Sequence, residues 1–170
     1  LFLVKMKIKK QKVFLQLGSN IGDRVYYLNL AKRFIIDEVG SVLNESRIYE
    51  SAPWGVINQD HYLNEIIEVN TVDDPHTVLK KILNIEKKIG RVRTQKWSSR
   101  VIDIDIIFYT NFIINKKNLI IPHEHMHKRN FVLLPLNEIA ADFLHPIFKK
   151  TVNELMLKCT DKNETKVYKI

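Results

Sequence analysis

The densest chemistry in the sequence lies between Arg91 and Asp105. In Val101-Ile102-Asp103-Ile104-Asp105-Ile106-Ile107-Phe108 two acids alternate with apolar residues, the period of a strand. Both carboxylates then leave one face, while Ile102, Ile104, Ile106 and Phe108 leave the other and bury. Two carboxylates side by side repel unless a cation lies between them. Hard oxygen ligands so placed suit Mg²⁺, which takes one or two carboxylates together with phosphate oxygens and water. An amphipathic edge strand whose acids merely face water has the same spacing. Upstream, Arg91, Arg93, Lys96 and Arg100 lie within twelve positions of Asp103. Guanidinium forks match phosphate oxygens, and lysine adds a point charge. Cations beside metal-binding acids are what a polyphosphate–Mg²⁺ site requires. For any single arginine a solvated basic loop is the alternative.

Other residues carry weaker signals. Tyr62 and Asn64, two apart in a strand pattern, share a face. A flat heterocycle could stack on the ring while the amide, both donor and acceptor, reads its edge. Trp54, Trp97 and Phe131 stand in or beside loops and strand ends, where each by itself is more often packing than a ligand contact. His123, His125 and His127 invite a zinc reading, but no cysteine flanks them. Gly18-Ser19-Asn20-Ile21-Gly22 lacks the Lys-Ser/Thr ending of a phosphate loop, so a structural turn is expected.

The elements that must position these groups follow from periodicity. Val13–Leu17 is a strand ending in a turn. Asp23 caps a helix to about Glu38, with Leu28, Ala31, Ile35 and Val39 at helical spacing and Gly40 as its stop. Val42–Tyr49 and Tyr62–Val72 are strands. Asp74-Pro75 opens a second helix that Gly90 ends, with Val78, Leu79, Ile82, Ile85 and Ile89 as its stripe. Val101–Tyr109 is the strongest strand, Ile113–Ile121 a small hairpin, and helices follow at about 130–140 and 152–157. The segment from Arg91 to Arg100 has no apolar period and is a loop, expected to be mobile in the free protein and to close over bound substrates. The expected fold is α+β: a ferredoxin-like βαββαβ sandwich with antiparallel sheet, extra hairpin and C-terminal helices.

The chain has 170 residues, a size suited to one domain over 1–170, with 1–12 as a basic N-terminal extension. One cysteine excludes an intrachain disulfide scaffold, and no apolar run reaches the ~20 residues of a membrane helix. A cytoplasmic location without membrane association is the expectation. The formal charge of +8 implies an anionic partner without choosing among nucleic acid, membrane surface and a phosphate-rich small molecule.

Taken together, Leu17–Asp23, Asp60-His61-Tyr62-Leu63-Asn64, Gly90-Arg91-Val92-Arg93, Trp97–Asp105 and Ile121-Pro122-His123 through Arg129-Asn130-Phe131 resemble the 6-hydroxymethyl-7,8-dihydropterin pyrophosphokinase family of folate biosynthesis. The resemblance runs from about Val13 to about Pro146. It implies transfer of a diphosphate from ATP to the pterin hydroxymethyl oxygen, leaving AMP. It implies that Asp103 and Asp105 hold two Mg²⁺ ions, and that Arg91, Arg93, Arg100, His123 and Arg129 contact phosphates. Tyr62 and Phe131 would sandwich the pterin, with Asn64 on its edge and Ser51, Ala52, Trp54, Glu86 and Trp97 around it. Ile106, Leu119 and Ile120 would flank adenine. Ser98-Ser99 and Glu124 depart from the familiar bacterial pattern, and Glu124 is expected to point away from the triphosphate. The implied partners are the two small-molecule substrates, with a monomeric enzyme, no nucleic acid, and dihydropteroate synthase as a functional neighbour. The rivals are an RNA-binding module, for which the Lys/Arg-Gly-Phe/Tyr-x-Phe stacking motif is missing, and another Asp-x-Asp enzyme such as a two-metal nuclease or a sugar-nucleotide transferase.

Overall fold

The computed structural model describes residues 9–54, 59–92, 99–110 and 112–169. Strands β1 (Gln11–Ser19), β2 (Ser41–Glu45), β3 (Tyr49–Ser51), β4 (Tyr62–Thr71), β5 (Asp103–Tyr109) and β8 (Thr165–Val167) form one sheet; β6 (Ile114–Lys116) and β7 (Leu119–Ile121) form a separate hairpin. Helices α1 (Arg24–Glu38) and α2 (Pro75–Ile89) connect strands of the sheet, and α3 (Asn130–Ala140) and α4 (Val152–Leu157) follow the hairpin. The sheet runs β5-β1-β4-β3-β8, with β2 beside β3 along the same edge of β4, and its pairings are antiparallel. The fold is the expected ferredoxin-like βαββαβ sandwich with its added hairpin and C-terminal helices, plus a C-terminal strand that the sequence reading did not anticipate.

The helix boundaries follow local chemistry. The Asp23 carboxylate accepts from Tyr26 N–H at 2.9 Å and starts α1. Asp74 accepts from His76 and Thr77 N–H and starts α2, with Pro75 next. Gly90 ends α2 at φ +105°, a conformation that costs a residue with a Cβ. Gly40 serves a different need: a Cβ there would meet the Asn70 carbonyl oxygen at 2.2 Å, so the turn from α1 into β2 can lie directly on β4 only without a side chain.

Two expectations need correction. Val42–Tyr49 is not one strand. It breaks between β2 and β3 at Ser46, whose N–H donates to Ile66 O and whose Oγ accepts from Ile66 N–H, so side chain and backbone both engage one residue of β4. Phe108 does not share a face with Ile102, Ile104 and Ile106. The β1–β5 register shifts between Phe14 and Leu15, pairing Phe14 with Phe108 but Leu15 with Ile106, and this bulge turns Phe108 to the acid side.

The sheet therefore has two different faces. On one, Val13, Leu15, Leu17, Leu63, Ile67, Ile104 and Ile106 pack under α1 and α2 with Leu28, Ile35, Val78, Ile82 and Ile85. Each such side chain, fully buried, contributes about 1.5–3 kcal/mol. On the other, Phe14, Ile66, Ile107 and Phe108 are covered by α3, α4 and Met126, whose 3₁₀ turn spans Met126–Lys128. That cover reaches only part of the second face. The uncovered part carries Gly18, Asn64, Asp103 and Asp105, which stand in register across β4, β1 and β5.

Candidate active site

β5 carries Asp103 and Asp105 opposite Gly18 and Gln16 of the neighbouring strand β1, so both acids rise from the uncovered face as their spacing requires. Their surroundings differ. Arg91 donates to Asp103 Oδ1, and Arg100 Nη1 donates to Asp103 Oδ2 at 2.8 Å, so a guanidinium meets each oxygen. Asp105 has no hydrogen bond or ion pair among the described residues. Loss of hydration, then the nearby charges of Asp103 and Glu86, raise its pKa to about 7, against the weaker pull of Arg129 and Arg91. A desolvated carboxylate beside other carboxylates is a place where a bound cation is favoured. Among the described residues no group of three or more His, Cys, Asp or Glu could enclose a metal alone. The donor set is a carboxylate pair, which fits Mg²⁺ completing its shell with phosphate oxygens and water.

Two cavities meet at Asp105. The first is lined by Gly18, Ser51, Ala52, Trp54, Tyr62, Asn64, Arg100, Asp103, Asp105, Arg129 and Phe131, with Gln16, Pro53 and Gln59. The second is lined by Ile104, Asp105, Ile106, Leu119, Ile120 and His123, with Leu79, Ile82, residues 117 and 118 of the hairpin, Glu124 and His125. Asp105 lines both. Ser51, Ala52, Trp54, Tyr62, Asn64 and Phe131 thus surround one space, Ile106, Leu119 and Ile120 border another, and Asp105 stands at the junction.

In the first cavity the Asn64 amide is oriented before any ligand arrives. Gln16 Nε2 donates to Asn64 Oδ1 at 3.2 Å, and Asn64 Nδ2 donates to Ser51 Oγ at 2.9 Å. Each amide atom keeps one further hydrogen-bonding position, so the group still offers a donor and an acceptor to a heterocycle edge. Arg129 lies with its guanidinium carbon 4.5 Å from the Trp54 ring centroid and 5.7 Å from that of Phe131. Its Nε is buried without a hydrogen-bond partner among the described residues. Burial lowers the Arg129 pKa, opposed by Asp105, Asp103 and Asp161. A buried cation with an unused donor is suited to an incoming anion.

His123, in the second cavity, follows the cis Ile121–Pro122 bond. Burial, Arg129 and His125 lower its pKa to about 4, so the ring is neutral near pH 7. Its Nδ1 accepts from His125 N–H at 3.2 Å, which places the proton on Nε2 as a donor. Glu124 is exposed at the cavity rim, with an oxygen 3.7 Å from His125 Nε2.

The arrangement departs from expectation at Glu86, which lines neither of these cavities. Glu86 lies buried behind β5, where Oε1 accepts from Ile104 N–H at 2.9 Å and from Arg91. It holds the strand and the arginine that reaches Asp103, rather than facing the ring cavity. Arg93 and Trp97, and most of the expected closing loop, lie outside the described residues. Sequence reasoning missed Gln16 and gave Asn20 no function. Asn20 is 1% exposed; its backbone N–H donates to Arg100 O, its Oδ1 accepts from Arg100 N–H at 2.8 Å, and its Nδ2 donates to Ser99 Oγ at 3.3 Å and Asp60 O at 3.4 Å. Gly18 and Ser19 end β1, and the chain turns after them at Asn20–Gly22, a structural turn as expected and one that anchors Arg100.

Residues 14–141 match the family model described as 7,8-dihydro-6-hydroxymethylpterin-pyrophosphokinase (HPPK). A 2-amino-4-hydroxy-6-hydroxymethyldihydropteridine pyrophosphokinase of Aquifex aeolicus is 40% identical over 142 residues, covering 84% of this chain and 88% of its own. One of Methylorubrum extorquens is 39% identical over 148 residues, covering 86% and 92%. The crystal structure of Plasmodium falciparum HPPK-DHPS superposes with a TM-score of 0.74 at 19% identity, over 88% of this chain and 43% of that longer one. The superposition supports the fold.

Proposed function

This chain belongs to the 7,8-dihydro-6-hydroxymethylpterin-pyrophosphokinase family, and from that premise we propose how its residues divide the reaction. The reaction itself is transfer of diphosphate from ATP to the hydroxymethyl group of 6-hydroxymethyl-7,8-dihydropterin, with release of AMP, in folate biosynthesis. The observation that carries the division of labour is the pair of cavities sharing Asp105.

The pterin occupies the first cavity, stacked between Tyr62 and Phe131, with the Asn64 amide on its edge and Ser51, Ala52 and Trp54 at its border. Adenine lies in the second, against Ile106, Leu119 and Ile120. The triphosphate then crosses Asp103 and Asp105, which would hold two Mg²⁺ ions; the metal supplies charge neutralisation and alignment of the phosphate oxygens. Arg91 and Arg100 exchange the Asp103 carboxylate for phosphate oxygens as the triphosphate arrives. Neutral His123 donates from Nε2, and Arg129 closes the phosphate side of the ring cavity. Holding two substrates in adjoining cavities replaces a bimolecular encounter by a fixed geometry, and the cations stabilise charge in the transition state. No side-chain nucleophile is needed.

Among the described residues no helix is long and apolar enough to cross a membrane, and a cytoplasmic location fits an enzyme of folate biosynthesis. The Plasmodium chain is named for both HPPK and DHPS, which supports dihydropteroate synthase as the functional neighbour of this one. A monomer suffices for the reaction, since the groups assigned to both substrates come from one chain.

The test is AMP formation from Mg-ATP. AMP that appears only with the reduced hydroxymethylpterin, and is lost in Asp103→Ala and Asp105→Ala, is the expected result. AMP formed without pterin, nuclease activity, or full activity in either variant overturns the assignment.

A further inference from the structure

The C-terminal segment lies beyond the family match, which ends at residue 141, yet it is bound to the wall of the ring cavity. We propose that Asp161 is a positioning residue for pterin binding, fixing from the far end of the chain the first turn of α3 that presents Arg129 and Phe131. The inference rests on the reading of Phe131 as a ring-stacking residue.

Helix α3 begins at Asn130, and the position before it, where Ser, Thr, Asp or Asn usually caps, holds Arg129. Arg129 makes no side-chain capping bond; its guanidinium lies between Trp54 and Phe131 instead. The missing cap comes from 31 positions away. Asp161 Oδ2 accepts from Asn130 N–H at 2.9 Å, and the Asn130 amide returns a bond to the Asp161 carbonyl at 2.7 Å. Asp161 Oδ1 accepts from Asn163 N–H at 3.0 Å, so the carboxylate is itself held. The charge is favourable beside the start of a helix and beside Arg129.

Both neighbours of Asn130 line the ring cavity. A local capping rule is broken at Arg129 because that position serves the cleft, and a distant residue supplies the lost bond. The same tail then forms β8 on β3, pairing Thr165 with Ser51, whose side chain holds the Asn64 amide. The segment thus ties the start of α3, with Phe131, to β3, with Ser51 at the cavity border.

The experiment uses the full chain with Asp161→Ala, Asp161→Asn, Phe131→Ala and, as a control, Glu164→Ala, which removes an exposed acid of the same tail. Affinity for 6-hydroxymethyl-7,8-dihydropterin is measured by fluorescence with a non-hydrolysable ATP analogue present, at a temperature well below every melting point. Asp161→Ala is expected to weaken pterin binding about tenfold, and Asp161→Asn about threefold, because one amide oxygen can still accept from Asn130 N–H. Glu164→Ala leaves affinity unchanged. A merely structural role would lower the melting temperature but leave the affinity of the folded protein intact, and that result overturns the proposal. Weakening in Phe131→Ala alone refutes the role of Asp161 while keeping the ring site. No weakening in either refutes the stacking assignment and the proposal with it. If Asp161→Ala does not fold, Asp161→Asn against Glu164→Ala decides.

Discussion

Asp103 and Asp105 look equivalent as letters two apart, and the structure separates them. Asp103 satisfies two guanidiniums, whereas Asp105 carries its charge against burial and like charges. Both Asp103→Ala and Asp105→Asn should lower turnover at least ~100-fold, as expected when charge stabilisation in the transition state is removed. Their melting temperatures should move in opposite directions. Asp103→Ala removes the carboxylate that lies between the Arg91 and Arg100 guanidiniums, leaves two like charges facing each other, and lowers it; Asp105→Asn removes an unfavourable charge and raises it near pH 8. The Asp105 gain should shrink toward pH 5, because a carboxyl whose folded pKa is raised loses stability progressively as pH rises from its unfolded pKa of about 4 to its folded pKa of about 7. Thermal melts at the two pH values, without ligands, check the sign. Asn64→Ala should weaken pterin binding by about 1–3 kcal/mol, the cost of leaving buried polar atoms unpaired. ATP-analogue binding should change little. Calorimetric titration of each ligand separately distinguishes this from loss of the Gln16–Asn64–Ser51 chain as scaffold, which would harm both.

At the scale of elements, the C-terminal helices complete the site face, and the turn between α3 and α4 depends on one protonation state. His145 is 2% exposed, stacks on Phe148 at 4.3 Å and meets Phe108 edge-on. Its Nδ1 accepts from Ile147 and Phe148 N–H, both at 3.2 Å, which a protonated ring cannot do. Burial, then His127, lower its pKa to about 4. A histidine lowered on folding contributes stability that is complete above its unfolded pKa of about 6.5 and lost as pH falls toward 4, since the unfolded chain takes up the proton first. Hydrogen exchange at the Ile147 and Phe148 amides should therefore show weakening protection as pH falls from 7 to 4.5, after correction for intrinsic rates. A His145→Gln variant should lose that pH dependence.

The whole molecule keeps its chemistry and one buried ion cluster on opposite faces of the sheet. Glu65, on the face covered by α1 and α2, is 2% exposed, and Lys32 of α1 bridges it at 2.8 Å to Glu45 at 2.6 Å. Burial raises the Glu65 pKa to about 7 despite Lys32. Removing the lysine leaves the carboxylate uncompensated, so Lys32→Ala should cost about 3–5 kcal/mol at pH 8. The loss should be smaller at pH 5, where Glu65 takes up a proton. Because the sheet separates this cluster from the cleft, turnover per folded molecule should stay within about twofold of the parent. Urea denaturation at both pH values, with turnover assayed in parallel, tests both parts.

The sequence by itself determined the kinds and order of most elements. It also placed both acids on one strand face and fixed where α1 and α2 start. These are properties of a two- or 3.6-residue period and of caps that act within three residues, as Asp23 and Asp74 do. Its residue pattern also assigned the family. The tertiary structure alone decided what depends on segments far apart. The bulge that turns Phe108 over arises from the pairing of β1 with β5. Gln16 meets Asn64 across 48 positions, Asn20 anchors Arg100 across 80, and Asp161 caps α3 across 31. No local period marks such partners, because the hydrogen-bonding capacity of Gln, Asn or Asp is the same at every position. Only the packing of distant elements decides which donors and acceptors leave water together. Among the described residues the same packing leaves Asp105 without a partner while Arg91 and Arg100 both meet Asp103, and so turns a symmetric motif into a site with two unlike carboxylates.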